Sequence, residues 1–222
     1  MAATHPDVLA LRRRFGIPAD DGEALFLSRL YPGGPQSADV SLVGPFMGAP
    51  QAAMLMETLA AWGVRRIVFL GWCGALASSV KSGDVIVPQG AFADEGTSPA
   101  YGCESLRVAP ASPAFQSQLS THLRQNGLTC QEGWIWTTDA VFRETTSKVR
   151  HYQSLGALAV EMELSALYSV SRHCGIELGA VLMVSDELSS FKWRPGFKSE
   201  RFQATRAAVC EAIGTYVERS TS

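Results

Sequence analysis

Residues 156–170 read GALAVEMELSALYSV, and they place two acids, Glu161 and Glu163, inside an otherwise apolar run. The segment ALAVEM predicts a buried strand, and ELSALYSVSRHCG at 163–175 predicts a helix. A strand that passes directly into a helix is typical of a parallel sheet covered by helices. Because an unpaired carboxylate in an apolar core is costly, the two acids need a partner in the protein or a ligand.

The same alternation of strands and helices extends outward over the rest of the chain. Strands are predicted at 23–30, 38–44, 65–72, 83–92, 132–138, 157–162 and 177–186, and helices at 6–15, 49–63, 111–127, 143–156, 163–175 and 197–218. We expect a turn at 29–39 and a loop at 189–197, whose Phe191, Trp193 and Arg194 make it a candidate lid or partner contact. This pattern predicts an α/β fold with a mostly parallel sheet, formed by residues 1–222 as a single domain.

Composition restricts the class of protein. The chain has 222 residues, 46% of them hydrophobic, and a formal net charge of −2. Its basic residues are scattered, so we expect no nucleic-acid partner. We also expect no membrane segment and no leader, and therefore a cytoplasmic protein. The five cysteines lack paired spacing and are expected to be reduced, and no metal-ligand cluster is predicted.

Two predicted strand ends carry acids. In open α/β sheets ligands bind at the carboxyl ends of the strands, where Glu161 and Glu163 follow ALAVEM and Asp186 follows VLMVS. One acid can bind a sugar while another protonates a leaving group. The alternatives are helix caps: Glu163 capping its own helix, and Asp186 capping the next turn. Gly71 and Gly74 indicate either an anion-binding turn or a plain tight turn.

Five segments together carry a resemblance to a known family. These are GPFMGAP, GWCGAL with GDVIVP, TTDAVFRE, VEMELSALYSV and VSDEL, in that order. They resemble the nucleoside phosphorylase family, which includes purine nucleoside and uridine phosphorylases and the methylthioadenosine nucleosidases. The resemblance implies a three-layer α/β/α sandwich with a mixed, mostly parallel central sheet. It also implies cleavage of an N-glycosidic bond within a homo-oligomer, a dimer or a trimer of dimers.

The resemblance implies roles at the sugar. Glu163 corresponds to the carboxylate that binds the ribose 2′- and 3′-hydroxyls, with Met162 and Met47 against the sugar. Cleavage passes through a ribosyl cation, which a nearby carboxylate stabilises.

It implies further roles at the base. Asp186 corresponds to the residue that hydrogen-bonds or protonates purine N7. Phe142, or Val141 if the alignment shifts by one, would stack on the base. Glu161 is expected among the base-binding residues, and Trp72 or Trp136 would form a wall of the pocket.

A purine base is the favoured substrate. Uridine-specific members hold uracil with a glutamine and an arginine, whereas the corresponding positions here are Thr145 and Ser147. The uracil-binding pair is therefore absent.

The phosphate site departs from the family pattern. The usual N-terminal phosphate loop has no counterpart, and Phe69 and Trp72 stand where family members carry arginine and serine or threonine. Gly71 and Arg29 are the candidate phosphate ligands, with Arg29 reaching a neighbouring subunit's site. Arg143 is a further substitute.

Three functions follow from these departures. Inorganic phosphate is the expected co-substrate, and no other cofactor is expected. The alternatives are a hydrolytic nucleosidase that uses water, and a degenerate member that only binds nucleoside or base. Nucleosidases use an N-terminal glutamate as general base, for which Glu23 is the acid nearest the first predicted strand. His5 could reach a neighbour's ribose.

Overall fold

The computed structural model of the protein describes residues 1–18, 21–33, 39–108, 110 and 112–221. Its helices are α1 (His5–Arg14), α2 (Ala49–Ala61), α3 (Thr97–Ala100), α4 (Pro113–Gln125), α5 (Thr146–Ser154), α6 (Leu164–Cys174) and α7 (Glu200–Thr221). Its strands are β1 (Glu23–Leu25), β2 (Ser28–Tyr31), β3 (Leu42–Gly44), β4 (Arg66–Ala75), β5 (Val85–Asp94), β6 (Arg107–Val108), β7 (Cys130–Thr138), β8 (Ala157–Glu161), β9 (Glu177–Glu187) and β10 (Arg194–Pro195). A short 3-10 helix, Val141–Arg143, precedes α5.

The central sheet is mixed, as predicted. Its order is β10-β9-β4-β8-β7-β5-β6. The long pairings, β4 with β9 and β5 with β7, are parallel, whereas β8 runs antiparallel to β4. Strand β9 also pairs antiparallel with β5. Strands β9, β4, β8, β7 and β5 therefore form a closed ring of paired strands. A separate small sheet contains β1, β2 and β3.

Helices cover both faces of this sheet, which gives the three layers. Along β9, Ala180 and Leu182 belong to the core that holds α2 and α6. Val181 and Met183, the alternate residues, belong to the core that holds α1, α4 and α7. Because side chains alternate along a strand, a strand that is apolar at every position must be buried on both sides.

The N-terminal residues before α1 pack against β4, although their sequence shows no strand pattern. Ala2 forms a parallel bridge with Leu70, and its N–H donates to the carbonyl of Val43. Thr4 then caps α1 by accepting a hydrogen bond from the Asp7 N–H. The start of α1 therefore lies directly beside β4.

Several predicted elements differ in detail. The predicted strand at 23–30 is a hairpin, because the chain reverses at Phe26 and Leu27 with Leu25 opposite Ser28. The predicted turn at 29–39 begins later, since β2 continues to Tyr31, and part of it lies outside the described residues. The loop at 189–197 contains the short strand β10, which pairs with the end of β9.

Two further expectations concern the whole chain. None of the helices within the described residues could span a lipid bilayer. All five cysteines are free thiols.

Candidate active site

A cleft of about 620 Å³ opens at the ends of β4, β8 and β9. The start of α1, the loop before α2 and the 3-10 helix complete its walls. Seven of the nine site residues predicted from the sequence line it: Met47, Trp72, Phe142, Glu161, Met162, Glu163 and Asp186. Residues separated by up to 139 positions in the sequence are thus brought into one cleft.

Glu163 lies in this cleft with little support from the protein. It occupies the N-cap position of α6, but its side chain makes no capping hydrogen bond. One carboxylate oxygen accepts a hydrogen bond of 2.6 Å from the N–H of Gly48, the N-cap residue of α2. Burial raises the pKa of Glu163, and hydrogen bonds from the backbone N–H groups of Gly48 and Met162 oppose this shift. The explanation of Glu163 as a cap of its own helix is therefore wrong.

Glu161 has a different environment, because the protein itself satisfies its carboxylate. One oxygen accepts from the Thr137 hydroxyl, and the other accepts from the backbone N–H groups of Glu163 and Leu164, each at 2.8 Å. Glu161 thus caps the N-terminus of α6 in place of Glu163. Burial and the neighbouring Glu163 charge raise its pKa. This geometry favours a role in holding α6 rather than the base-binding role expected from the sequence.

Asp186 is fixed at the end of β9 by two donors. The Ser185 hydroxyl donates to one carboxylate oxygen at 2.6 Å, and the Trp193 indole N–H donates to the other at 2.9 Å. Gly74 on β4 makes room for it, since a Cβ at this position would lie 2.9 Å from the Asp186 carboxylate. The alternative of Asp186 as a helix cap is not supported, because it lies within β9.

Trp72 and Asp7 fill the region where the family resemblance places phosphate ligands. The Trp72 indole N–H donates to Asp7 at 2.7 Å, and the Thr4 hydroxyl donates to the same oxygen at 2.6 Å. Asp7 is fully buried, and its other oxygen has no hydrogen-bond partner in the described structure. Burial is the largest effect on the Asp7 pKa and raises it, although the charge of Arg206 acts in the opposite direction.

The two predicted phosphate ligands do not line the cleft. Gly71 lies within β4 and not in a turn, and a Cβ there would meet the rings and methyls of Phe69 and Leu182. Close packing therefore explains this glycine. The Arg29 guanidinium donates to the carbonyl of Gly22 on the protein surface. Phe69, at the position of the expected arginine, is fully buried in the core.

The expected aromatic walls are only partly present. Phe142 lines the cleft but is 97% exposed, so it projects from the mouth, and Met47 is 73% exposed. Trp136 is fully buried and stacks on Tyr152, away from the cleft. The suggestion that Trp136 forms a pocket wall is therefore wrong.

Glu144 and Trp193 are among the lining residues that were not assigned to the site from the sequence. Glu144 follows the 3-10 helix, and Trp193 belongs to the loop that was expected to be a lid or a partner contact. Burial and the nearby Asp186 charge raise the pKa of Glu144 to about 7. Among the described residues the cleft is lined by four acids and by no lysine, arginine or histidine. This excess of negative charge becomes visible only when the chain is folded.

Comparisons with known proteins agree with this architecture. The Phosphorylase superfamily model matches residues 24–221. The chain is 30% identical to "Guanosine phosphorylase" of Halorubrum lacusprofundi over 174 residues, which are 76% of this chain and 71% of that protein. It is 32% identical to "Purine nucleoside phosphorylase DeoD-type" of Bacillus cereus over 155 residues, 67% of this chain and 64% of the relative.

A solved structure has the same fold. The crystal structure of AMP nucleosidase from Bacteroides thetaiotaomicron superposes with a TM-score of 0.76 and 23% identity, covering 100% of this chain and 88% of that one. The family match spans most of the chain and includes the residues that line the cleft from Met47 to Trp193. The protein therefore belongs to the Phosphorylase superfamily.

Proposed function

We propose that the protein cleaves the N-glycosidic bond of a nucleoside, with Glu163 binding the ribose hydroxyls and Asp186 holding the base. The observation that carries this proposal is the buried environment of the Glu163 carboxylate. Glu163 is 6% exposed and lines the cleft, and among the described residues only backbone N–H groups donate to its carboxylate. A buried carboxylate with unused acceptor capacity fits a ligand that brings hydroxyl donors.

The chemistry follows from this arrangement. When the bond between ribose and base breaks, positive charge develops on the sugar ring. A carboxylate at the ribose hydroxyls orients the sugar and favours that charge, especially in a cleft shielded from water. The N-termini of α2 and α6 both adjoin Glu163, and their dipoles favour its ionised form. They act against burial, which raises the pKa of this carboxyl group.

A purine is the proposed base. The relatives named above are a guanosine phosphorylase and a purine nucleoside phosphorylase. In this chain Thr145 caps α5 by accepting from the Lys148 N–H, and its hydroxyl also contacts Ser147. These two positions therefore serve the helix, which supports the absence of a uracil-binding pair.

The acceptor of the ribosyl group has two candidates. Phosphate is the acceptor implied by the names of the two relatives. Water is favoured by the charge of the cleft, because phosphate would meet four acids and, among the described residues, no cationic side chain. Phosphorolysis thus requires a cation from elsewhere, and Arg29 of a second copy is the residue we propose for it.

For hydrolysis, the position of α1 changes the choice of general base. Neither Glu23 nor Asp7 lines the cleft, and Glu23 is exposed on β1. Asp7 is fully buried in the first turn of α1, but it accepts hydrogen bonds from Thr4 and Trp72, which do line the cleft. If water is the acceptor, Asp7 is therefore the acid we propose in that role, acting through this pair of lining residues.

We also propose a homo-oligomer in the cytoplasm. Apolar side chains crowd the mouth of the cleft, where Phe142, Met47 and Trp193 are all more than half exposed. A second copy covering them would bury this surface and could bring Arg29 or His5 to the site. Five unpaired thiols suit a reducing compartment.

The test is the release of free base. The protein is incubated with adenosine, inosine, guanosine, uridine and methylthioadenosine, each with and without inorganic phosphate. Release that depends on phosphate supports phosphorolysis, and Arg29→Ala should then raise the KM for phosphate. Equal release without phosphate supports hydrolysis. Binding without release from any nucleoside would contradict the proposal and leave a binding protein.

A further inference from the structure

We propose that Trp193 is a positioning residue for the base: its indole N–H holds the Asp186 carboxyl group in the orientation that base binding requires. This inference rests on the proposed function, in which Asp186 holds the base. The family resemblance assigned no role to Trp193. The inference makes the short segment that follows β9 part of the base-binding site.

The carboxyl group of Asp186 is held at both of its oxygens. The Ser185 hydroxyl donates to one oxygen at 2.6 Å, and the Trp193 indole N–H donates to the other at 2.9 Å. The terminal torsion of an aspartate side chain has broad minima, so a single donor leaves the plane of the carboxyl group free to turn. Two donors on different oxygens fix that plane. A carboxyl group has more acceptor sites than these two donors use, so it can still contact a base.

The two donors are not equivalent. The Ser185 hydroxyl has a second acceptor within reach, the carbonyl of Cys73 at 3.3 Å. An indole has one donor and no acceptor, and Trp193 uses that donor on Asp186. Trp193 lines the cleft with 60% of its surface exposed, so burial gives it little reason to occupy this place. The hydrogen bond to Asp186 is therefore the contact that explains its position.

The backbone after Trp193 returns to the strand that carries Asp186. Strand β10 follows directly and pairs antiparallel with the end of β9, with Pro195 opposite Asp186. The Gly196 N–H then donates to the carbonyl of Ser185 at 2.8 Å. The indole is thus attached to the carboxyl end of β9 through paired backbone, which orders the donor before a base arrives.

The turn that makes this return possible is strained. Phe191 has a φ of 59°, in the left-handed region that bulky residues seldom adopt. Its N–H donates to the carbonyl of Leu188 at 2.8 Å, and the Arg150 guanidinium lies 4.9 Å from the centre of its ring. Strained backbone persists only where the surrounding contacts impose it, and such residues cluster at functional sites. Here the strained turn precedes Trp193 by two residues and brings it back to Asp186.

Two substitutions separate the ring of Trp193 from its donor. Trp193→Phe keeps a flat ring without an N–H. Trp193→His restores the donor, because the imidazole Nε2 is separated from Cβ by the same number of bonds as the indole Nε1. For the purine nucleoside that the wild type cleaves fastest, Trp193→Phe should lower kcat/KM by roughly 10- to 100-fold. It should also weaken the binding of hypoxanthine, and Trp193→His should recover part of both losses.

A double-mutant cycle with Asp186→Ala tests whether Trp193 acts through Asp186. Without the Asp186 side chain the indole has nothing to position, so Trp193→Phe should then change kcat/KM and the hypoxanthine dissociation constant by less than about 2-fold. Trp62→Phe is the matched control, since Trp62 is 59% exposed and lies outside the cleft. It should change neither quantity in either background.

The outcomes separate this inference from the proposed function. If the wild type binds hypoxanthine but releases no base from any nucleoside, the proposed function fails, and the binding cycle decides the role of Trp193. If the wild type cleaves and Trp193→Phe matches it in both measurements, only the role of Trp193 is overturned. An equal loss with and without the Asp186 side chain would also overturn it, because the indole would then act only as a wall of the cleft. A wild type that neither cleaves nor binds would overturn both.

Discussion

Glu163→Gln is the substitution that tests the proposed site most directly. The amide oxygen of glutamine can keep the hydrogen bond from Gly48, so its NH2 group must face the ribose. An NH2 group cannot accept hydrogen bonds from the two ribose hydroxyls. Each lost bond to a charged acceptor costs about 1.5–3 kcal/mol, and two cost about 3–6 kcal/mol. We therefore expect kcat/KM to fall by roughly 10²- to 10⁴-fold.

The same substitution should not weaken the fold. Burial and the neighbouring Glu161 make the charge at position 163 unfavourable, and a neutral amide removes that cost. The melting temperature of the ligand-free protein at neutral pH should stay the same or rise. The assays are base release under kcat/KM conditions and thermal unfolding of the same preparation. Near-full activity in Glu163→Gln, or a loss of activity that accompanies a clear fall in melting temperature, would refute the reasoning.

Three further predictions concern the neighbours of Glu163. Glu161→Ala removes the cap of α6, so two buried N–H groups lose their acceptor. The free energy of unfolding, measured by urea denaturation, should fall by about 1–3 kcal/mol. Unchanged stability would contradict the capping role of Glu161. Gly74→Ala places a Cβ 2.9 Å from the Asp186 carboxylate, so guanosine cleavage should fall while the melting temperature changes little; wild-type activity would show that Asp186 tolerates displacement. The ligand-free protein should lose stability as the pH rises above about 4.3, which is the usual glutamate pKa. Above that pH the unfolded chain has lost these protons, whereas the folded state still binds them because the pKa values of Glu161 and Glu163 are raised. Thermal unfolding from pH 4 upward should show a flatter decline in Glu163→Gln than in the wild type.

The parts of the fold with strong periodicity were predictable from the sequence. The strand and helix around Glu163 were correct because the apolar run changes period where the strand ends. The strand carrying Asp186 was recognisable because it is apolar from residue 178 to residue 184 and buried on both faces there. Those two segments supplied the candidate acids, and the family resemblance supplied their roles.

Weak local signals explain the errors. The hairpin at Phe26 and Leu27 was missed because neither residue is a usual turn former, although Phe26 adopts a positive φ of 54°. The role of Asp7 had a signal, since Thr4 and Asp7 have the spacing of a helix capping box. Nothing in that signal indicated that α1 starts beside Trp72.

Other features of the site depend on folding alone. Glu144 is one acid in a polar stretch, and only the packed loops bring it close to Asp186. Gly71 looked like part of an anion-binding turn because glycine serves both turns and close packing, and Phe69 decides between them. The lack of lysine, arginine and histidine among the described residues of the cleft wall likewise became visible only once the lining residues were known.

The two ends of the cleft are built from different kinds of structure. Glu163 is held between the first turns of two long helices, whereas Phe142, Glu144 and Trp193 come from short connecting segments. Substitutions in such connections disturb a fold far less than changes at helix starts inside the core. Preference among bases should therefore be open to redesign, and to natural divergence, while the preference for ribose stays fixed by the scaffold.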